Sequence, residues 1–296
     1  MPVSKEDARV SFEFWFMFPV SIGIATVAMA SGVEGATFFA PVFILALGLS
    51  PEIAIGTGLI TEVFGFSSGL AAYVRKKLID FRLGGALLVA TIPAAILGTW
   101  VSGRVDPDIL KVVLGMGLIG LAMSFLRSPG AATVEREDAA ISAAGETGPK
   151  PQTCLTTAKG ETLCYTVVNR TEGRIVAAIG AMFMGMVSTG LGEMNGYLLL
   201  QRCRVPSRVA VATSVFVVAV SAVVAAAGHM VTFVTGADDS LGTVLSLVIF
   251  TVPGVVIGGQ IGPAVGSRIS QHVLEKSLGI LFVLIGGLML GQVLLG

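Results

Sequence analysis

Long apolar stretches, separated by short polar ones, run along almost the whole chain. Six of these stretches are long enough, or nearly so, to cross a hydrocarbon core of roughly 30 Å. They cover residues 11–33, 83–101, 109–126, 207–228, 242–262 and 277–296. The pattern predicts an all-α polytopic membrane protein.

Glycine, proline and charged residues divide the apolar stretches further, into two halves of about five helical segments each. The predicted segments are 11–33, 36–49, 52–74, 83–103 and 108–126, then 174–191, 194–203, 207–230, 241–263 and 273–295. The second segment of each half has about 10–14 residues, too few to cross a bilayer at 1.5 Å per residue. We therefore expect each of them to be half of a broken or re-entrant element that meets its partner near the middle of the membrane, with the two breaks close to the pseudo-symmetry axis.

The second half of the chain repeats landmarks of the first half in the same order. The matching stretches are 31–35 with 189–193, 54–59 with 210–215, 91–98 with 251–258 and 110–115 with 274–279. Paired halves with glycine-broken, acid-bearing segments are typical of secondary transporters. We divide the chain into a first transmembrane repeat (1–126), a cytoplasmic linker with a small hairpin (127–173) and a second transmembrane repeat (174–296).

The basic residues predict how the halves are oriented. Four Lys and Arg residues lie between 75 and 82, whereas the matching loop 229–241 has none. Three arginines lie between 202 and 208, where the first half has no basic residue. The positive-inside rule then makes the two halves inverted repeats and places loops 75–82, 127–173 and 202–208 in the cytoplasm.

The composition supports a membrane protein and disfavours other classes. Of the 296 residues, 54% are hydrophobic and 13% are charged, and the net charge is zero. Soluble domains have about 25% charged residues. Zero net charge gives no indication of a nucleic-acid partner, so the expected partners are the lipid bilayer and a small substrate. The first run is too long for a signal peptide, and we expect no cleavage there.

Two glutamates lie at the breaks between long and short segments. Glu34 directly precedes a glycine and Glu193 directly follows one, each inside an apolar region. An ionised carboxylate at that depth costs about 2.5–3.5 kcal/mol, so each should face a cavity or a partner. We predict that both carry protons; the alternative is a structural acid that accepts backbone N–H groups at the break. Glu62 also lies within an apolar segment, but its repeat counterpart is Val218, which places it outside a symmetric site.

The same breaks predict an anion site. Glycine allows positive φ angles and lets a ligand approach the backbone, and a half-helix that starts after a break presents free N–H groups. Hydroxyl and amide groups can add donors for sulfite or sulfonate oxygens. The predicted substrate-binding residues are Gly32, Gly35, Thr57, Ser188, Thr189, Gly190, Gly192, Asn195, Thr213 and Ser214. The alternatives are close glycine packing and hydroxyls that bond to their own helix.

Cys154 and Cys164 flank a predicted hairpin turn. They can be free thiols, a disulfide or half of a metal site, and free thiols are the default in the cytoplasm. No histidine or further cysteine lies nearby in the sequence to complete four ligands. We therefore predict no metal site and no cofactor.

One motif indicates a different class of protein. Residues 65–69, Gly-Phe-Ser-Ser-Gly, match the serine-hydrolase pattern G-x-S-x-G. The motif lies in an apolar helix, where its glycines also form a packing motif. The only plausible basic partner of Ser67 is His229, which we expect at the membrane interface. We therefore expect no catalytic residues, and keep the intramembrane hydrolase only as an alternative.

At these landmarks the chain resembles the sulfite exporter TauE/SafE family, also called the toluene sulfonate uptake permeases. The family's signature G-x-G-G-G…P corresponds to 32–35 with Pro41 and to 190–193; the motif P-x-x-A-x-x-T/G-S corresponds to 51–58 and 206–214. Glu34 and Glu193 stand where the family tends to have glycine, and Leu199 replaces the second proline. The resemblance implies transport of sulfite or organosulfonates across a bacterial inner membrane.

The residues and the resemblance together predict a secondary transporter of a small sulfur-containing anion. We expect it to work by alternating access and to be driven by protons. An uncoupled anion channel with the same site is the alternative. The sequence names no protein partner, and a homodimer stays open.

Overall fold

The computed structural model describes residues 12–31, 33–127, 134–136, 138–141, 153–235, 240–266, 269 and 271–295. Five main helices precede a two-stranded hairpin and five follow it within these ranges. They are α1 (Met17–Ser31), α2 (Ala36–Leu47), α3 (Pro51–Arg75), α4 (Phe81–Ser102), α5 (Pro107–Leu126), β1 (Thr153–Thr156), β2 (Thr162–Tyr165), α6 (Arg170–Val187), α7 (Leu191–Gln201), α8 (Ser207–Thr235), α9 (Ser240–Gly266) and α10 (Gln271–Leu295). The all-α prediction is confirmed, hairpin included.

Six of the described helices are long and apolar enough to cross a membrane: α3, α4, α5, α8, α9 and α10. The two predicted short segments are short helices, α2 with 12 residues and α7 with 11. The first segment is shorter than predicted, because Phe12–Phe14 forms a separate 3-10 turn and α1 has only 15 residues. The protein is therefore a multi-pass membrane protein with two short helices at matching places.

Local sequence signals explain several helix starts. Asp80 precedes α4, and its carboxylate accepts hydrogen bonds from the N–H groups of Arg82 and Leu83 at 3.0 and 2.9 Å. Asp106 caps α5 in the same way, with Pro107 as the first helical residue. Such caps satisfy N–H groups that have no partner inside the helix.

The helices pack in pairs that are preserved when the two halves are exchanged. Helix α1 packs against α9, and its counterpart α6 packs against α4, the counterpart of α9. The third helices, α3 and α8, pack together, as do the fifth helices, α5 and α10. This exchange agrees with the sequence repeat. The inverted orientation of the halves in the membrane stays a prediction.

The repeated glycines lie at the closest helix crossings. A Cβ on Gly98 would lie 2.1 Å from the carbonyl oxygen of Met182 in α6. A Cβ on its counterpart Gly258 would lie 2.4 Å from the carbonyl oxygen of Ile22 in α1. Real Cβ atoms do not approach that closely, so both positions need glycine. The 91–98 and 251–258 landmarks therefore mark equivalent helix contacts.

The hairpin joins loops from both halves at one end of the molecule. The N–H of Ala158 donates to the carbonyl of Lys76 at 3.0 Å, and the Tyr165 hydroxyl donates to the Asp80 carboxylate at 2.8 Å. Arg208 pairs with Glu161 at 2.7 Å. Loops 75–82 and 202–208 thus lie at the same end as the hairpin, as the charge pattern predicts.

Of the three alternatives for the hairpin cysteines, the structure has the disulfide between Cys154 and Cys164, which face each other across the two strands. A disulfide favours an oxidising compartment, whereas the nearby arginines favour the cytoplasm. Cys203, the free cysteine of the described ranges, is buried. Its pKa is raised, mainly by burial.

Candidate functional site

The two breaks in the helices are in contact with each other. The first break separates α1 from α2 and includes Glu34; the second lies between α6 and α7. The Thr37 hydroxyl donates to the Thr189 hydroxyl at 2.9 Å. The N–H of Gly192, in the first turn of α7, donates to Oε1 of Glu34. The predicted meeting of the two breaks is therefore present.

Backbone geometry explains the second break. Ser188 ends α6 with a φ of 60°, and Gly190 precedes α7 with a φ of 115°. Both angles lie in the left-handed region, which glycine adopts without a steric penalty. Gly35, by contrast, has a φ of −63°, so the first break does not need a glycine at 35 for its backbone angle. Gly32 lies outside the described residues.

Gly192 is needed for close approach. A Cβ at this position would lie 2.6 Å from Oε1 of Glu34. The absence of a side chain lets the carboxylate of the first break reach the N-terminal N–H of α7. Since such N–H groups favour negative charge, the bond places an acid where a half-helix binds anions.

Three buried carboxyl groups lie around the contact between the breaks. Glu34 and Glu62 are 2% and 3% exposed. The carboxyls of Glu34, Glu62 and Glu193 are close enough to interact electrostatically. Oε2 of Glu34 and both carboxyl oxygens of Glu62 and Glu193 have no hydrogen-bond partner in the described part of the chain. We refer to these three residues as the acid cluster.

Backbone N–H groups face the acid cluster from both breaks. Those of Gly35 and Ala36, at the start of α2, face Glu62. Those of Glu34 and Gly190 face Glu193. None of these groups reaches hydrogen-bond geometry with the facing carboxyl. Each half-helix N-terminus therefore has a carboxyl group next to it.

Glu62 is the main site residue that the repeat argument placed outside the site. A Cβ on Gly35 would lie 3.8 Å from Oε1 of Glu62, which shows how close α3 comes to the first break. Its counterpart Val218 in α8 is also buried, but apolar. Glu62 could have been predicted from the sequence as an acid inside an apolar segment, even though its repeat counterpart is not an acid.

Two separate cavities end at opposite members of the acid cluster. The larger has a volume of about 340 Å³ and is lined by Gly117, Gly120, Leu121, Ser124, Phe183, Val187, Thr189, Gly190, Glu193 and Met194. The smaller has a volume of about 30 Å³ and is lined by Ala25, Ala28, Met29, Val33, Gly35, Phe39, Glu62, Gly65, Phe66 and Val255. The larger is within the size range of small-ligand pockets. The smaller can hold about one water molecule.

The comparison with known families decides what kind of protein carries this site. A family model described as "Sulfite exporter TauE/SafE" matches residues 17–289. The chain belongs to the sulfite exporter TauE/SafE family. The match spans both halves and both breaks.

This family member has relatives among known proteins that are named as transporters. It is 23% identical over 249 residues to the probable membrane transporter protein YunE of Bacillus subtilis (strain 168), covering 84% of each chain. It is 32% identical over 102 residues to the probable membrane transporter protein YjnA of the same strain, covering 32% of this chain and 40% of that protein. No solved structure matches the chain significantly.

The uncharged donors predicted for this TauE/SafE site fall into two groups. Thr57, Ser188 and Asn195 are fully buried, and their side-chain polar atoms have no hydrogen-bond partner within the described ranges. Thr189 and Thr213 are already engaged, the first by Thr37 and the second by the N–H of Asp80 at 3.0 Å. Ser214 is also buried in α8. The first group keeps its hydrogen-bonding capacity for another partner.

The structure does not bring Ser67 and His229 together, as the hydrolase alternative requires. The Ser67 hydroxyl donates to the carbonyl of Val63 in its own helix at 2.6 Å. His229 is buried among the helices, and its Nε2 lies 3.0 Å from the carbonyl oxygen of Gly185. His229 packs beside Gly56, which is about 16 Å along α3 from Ser67 at 1.5 Å per residue. The two residues therefore do not form a nucleophile–base pair.

Proposed function

We propose that this family member transports a small sulfur-containing anion, sulfite or an organosulfonate, across a bacterial inner membrane. It works by alternating access and couples the movement of the anion to protons. The observation that carries the proposal is the bond from the N–H of Gly192 to the carboxylate of Glu34. The protein's own acid occupies the kind of position that broken-helix transporters offer to anionic groups.

That bond suggests how a proton and an anion are linked. While Glu34 is ionised, its negative charge holds the N-terminus of α7 and repels an incoming anion. A proton on Glu34 removes the charge and weakens the bond to Gly192, which frees the N–H for a sulfite or sulfonate oxygen. Affinity for the anion therefore rises as pH falls, because proton and anion favour each other's binding.

Glu193 lies where the anion would arrive. It lines the larger cavity together with Thr189 and Ser124, while most of the other lining side chains are apolar. Ionised, it repels an anion in that cavity; protonated, it becomes a hydrogen-bond donor. An apolar wall with a few polar groups suits an anion that carries a small apolar substituent. Glu34 and Glu193 thus form the proton-coupling pair, and the unpaired Thr57, Ser188 and Asn195 supply further donors.

The first test is thermal stabilisation of the purified protein by sulfite, thiosulfate, sulfonates, sulfate and carboxylates at two pH values. A ligand at 100 times its Kd adds about 2.7 kcal/mol to stability. We expect selective stabilisation by a sulfur anion, stronger at the lower pH. A flat response to the whole panel would contradict specificity for sulfur anions.

The second test measures transport in proteoliposomes. Glu193→Gln should abolish the pH dependence of anion uptake, whereas Glu172→Gln, at an exposed ion pair, should retain it. Unchanged pH dependence in Glu193→Gln would remove the proton role of that residue. Uptake that ignores a proton gradient and never saturates would identify an uncoupled channel.

A further inference from the structure

The acid cluster has one member at each of the two cavities. Glu193 lines the larger cavity and Glu62 the smaller, and no residue lines both. Glu34 lies between them, since its neighbours Val33 and Gly35 line the smaller cavity and its carboxylate bonds to the N–H of Gly192, next to Glu193. The three carboxyls therefore span the wall between one cavity and the other.

Glu62 has no structural role that its contacts explain. It is almost fully buried, both its carboxyl oxygens are unpartnered in the described part of the chain, and it borders the smaller cavity. A buried acid that serves only the fold is normally held by donors, because an unpaired buried polar group is costly. Glu62 is faced by the N–H groups of Gly35 and Ala36, but none of them reaches hydrogen-bond geometry within the described ranges. A buried acid without a hydrogen bond, beside a water-sized cavity, has the features of a proton-binding group.

Among the described residues, the helices that pack against α3 bring no unpaired cation to Glu62. Helices α2 and α9, which pack against α3, have no ionisable side chain. In α8 the ionisable residues are Arg208, in its first turn and paired with Glu161, and His229, which lies against the carbonyl of Gly185. In α5, Asp108 and Lys111 pair with each other near the helix start. The charged groups that act on Glu62 are Glu34 and Glu193.

We propose that Glu62 is a third proton-binding residue and that the acid cluster passes protons between the two cavities. This inference rests on the proton coupling proposed above. A proton from water in the larger cavity binds the Glu193 carboxylate and passes to Glu34 and then to Glu62. Glu62 releases it to water in the smaller cavity when the transporter opens on that side. Each transfer leaves the donor ionised and ready for the next proton, and no other reactant is consumed.

The path also separates the proton from the anion over part of its course. In this proposal the anion binds at the N–H of Gly192 and in the larger cavity, whereas Glu62 lines the smaller cavity. Glu62→Gln should therefore affect net proton movement more than exchange of one anion for another, because exchange moves no net proton.

The experiment uses the full-length protein in proteoliposomes, with sulfite as the probe and benzenesulfonate as a second probe. Proton flux is followed with a pH-sensitive dye inside the vesicles. Glu62→Gln should lower proton-driven uptake by about tenfold or more and one-for-one exchange by much less. Glu172→Gln is the control and should behave like the wild type in both assays.

The outcomes separate this inference from the proposed function. A wild-type protein that moves no protons with sulfite or benzenesulfonate would overturn both. A coupled wild type with an equally coupled Glu62→Gln would overturn the role of Glu62 alone. If Glu62→Gln does not fold, Glu62→Asp replaces it, because it keeps the acid but withdraws it by one methylene. Its proton-driven uptake should then fall and its pH profile shift; a wild-type profile would reject the proton path through Glu62.

Discussion

The acids at the hairpin end of the molecule and the acids of the acid cluster differ in their hydrogen-bond and ion-pair partners. At the hairpin end, Asp80 accepts from Tyr165 and two N–H groups, Glu161 pairs with Arg208, and Glu172 pairs with Arg202. In the acid cluster, five carboxyl oxygens have no partner within the described ranges. The acids at the hairpin end thus have donors, whereas the acids that we propose to carry protons keep unpartnered oxygens. The two groups differ in hydrogen bonding although Asp80 and Glu34 are both buried.

The largest effect should come from disrupting the contact between the two breaks. In Gly192→Ala the new Cβ would lie 2.6 Å from Oε1 of Glu34, so the carboxylate must leave the N-terminus of α7. Alanine itself fits a helical position. We expect proton-coupled uptake to fall by about a hundredfold, as when a single positioned donor is lost at an active site.

The matched control for Gly192→Ala is Gly259→Ala in α9, where a Cβ would meet nothing within 4 Å. This variant should transport like the wild type. Equal activity of both variants, measured in the same proteoliposome assay, would show that the contact between the breaks is not needed for transport.

The second largest effect concerns the thermal stability of the protein and arises at the hairpin end. Tyr165→Phe removes the hydroxyl that donates to Asp80, and a hydrogen bond to a charged group contributes about 1.5–3 kcal/mol. We expect a lower melting temperature with little change in anion affinity. Thermal unfolding with and without the stabilising anion measures both quantities; an unchanged melting temperature would contradict a structural role for the bond.

The same tyrosine predicts a pH dependence of stability. Burial and the neighbouring Asp80 raise the pKa of Tyr165 above its usual range. In the unfolded chain a tyrosine loses its proton near pH 10, whereas the folded protein holds it. The contribution of this group is therefore complete below about pH 10 and is lost as pH rises further. Tyr165→Phe should flatten the stability profile in that range.

The smallest effect compares two threonines that are repeat counterparts. Thr213 accepts the N–H of Asp80, whereas the hydroxyl of Thr57 has no partner in the described part of the chain. Thr213→Val should lower the free energy of unfolding by about 1 kcal/mol. Thr57→Val should leave stability unchanged or raise it, and weaken anion binding. Equal destabilisation by both substitutions, measured by denaturant unfolding, would mean that Thr57 also serves the fold.

The sequence predicts most of the helices because each apolar run has only one way to bury its backbone in a bilayer. It also predicts the meeting of the two breaks, since a repeat with matching interruptions brings them to equivalent places. Both short helices, α2 and α7, follow from this reasoning, as does the shared end of the hairpin and the basic loops.

The sequence does not predict contacts that have no counterpart in the other half of the chain. Glu62 joins the acid cluster from α3, where the second half has Val218, so symmetry argued against it. His229 is buried because it packs against Gly56 of α3 and lies 3.0 Å from the carbonyl oxygen of Gly185 in α6. The engagement of Thr213 depends on Asp80, which lies 133 residues away in the chain. These details depend on which side chains meet across helices, and periodicity does not carry that information.

The hairpin fastens the two repeats together at one end. Lys76 and Asp80 of the first half and Arg208 of the second all bond to it. A transporter that alternates access must separate its halves first on one side and then on the other. In the mechanism that we propose, opening on the hairpin side would require Glu161 to release Arg208 or the hairpin to move with one half. If the protein alternates access as we propose, these contacts predict that the hairpin end opens more slowly than the opposite end.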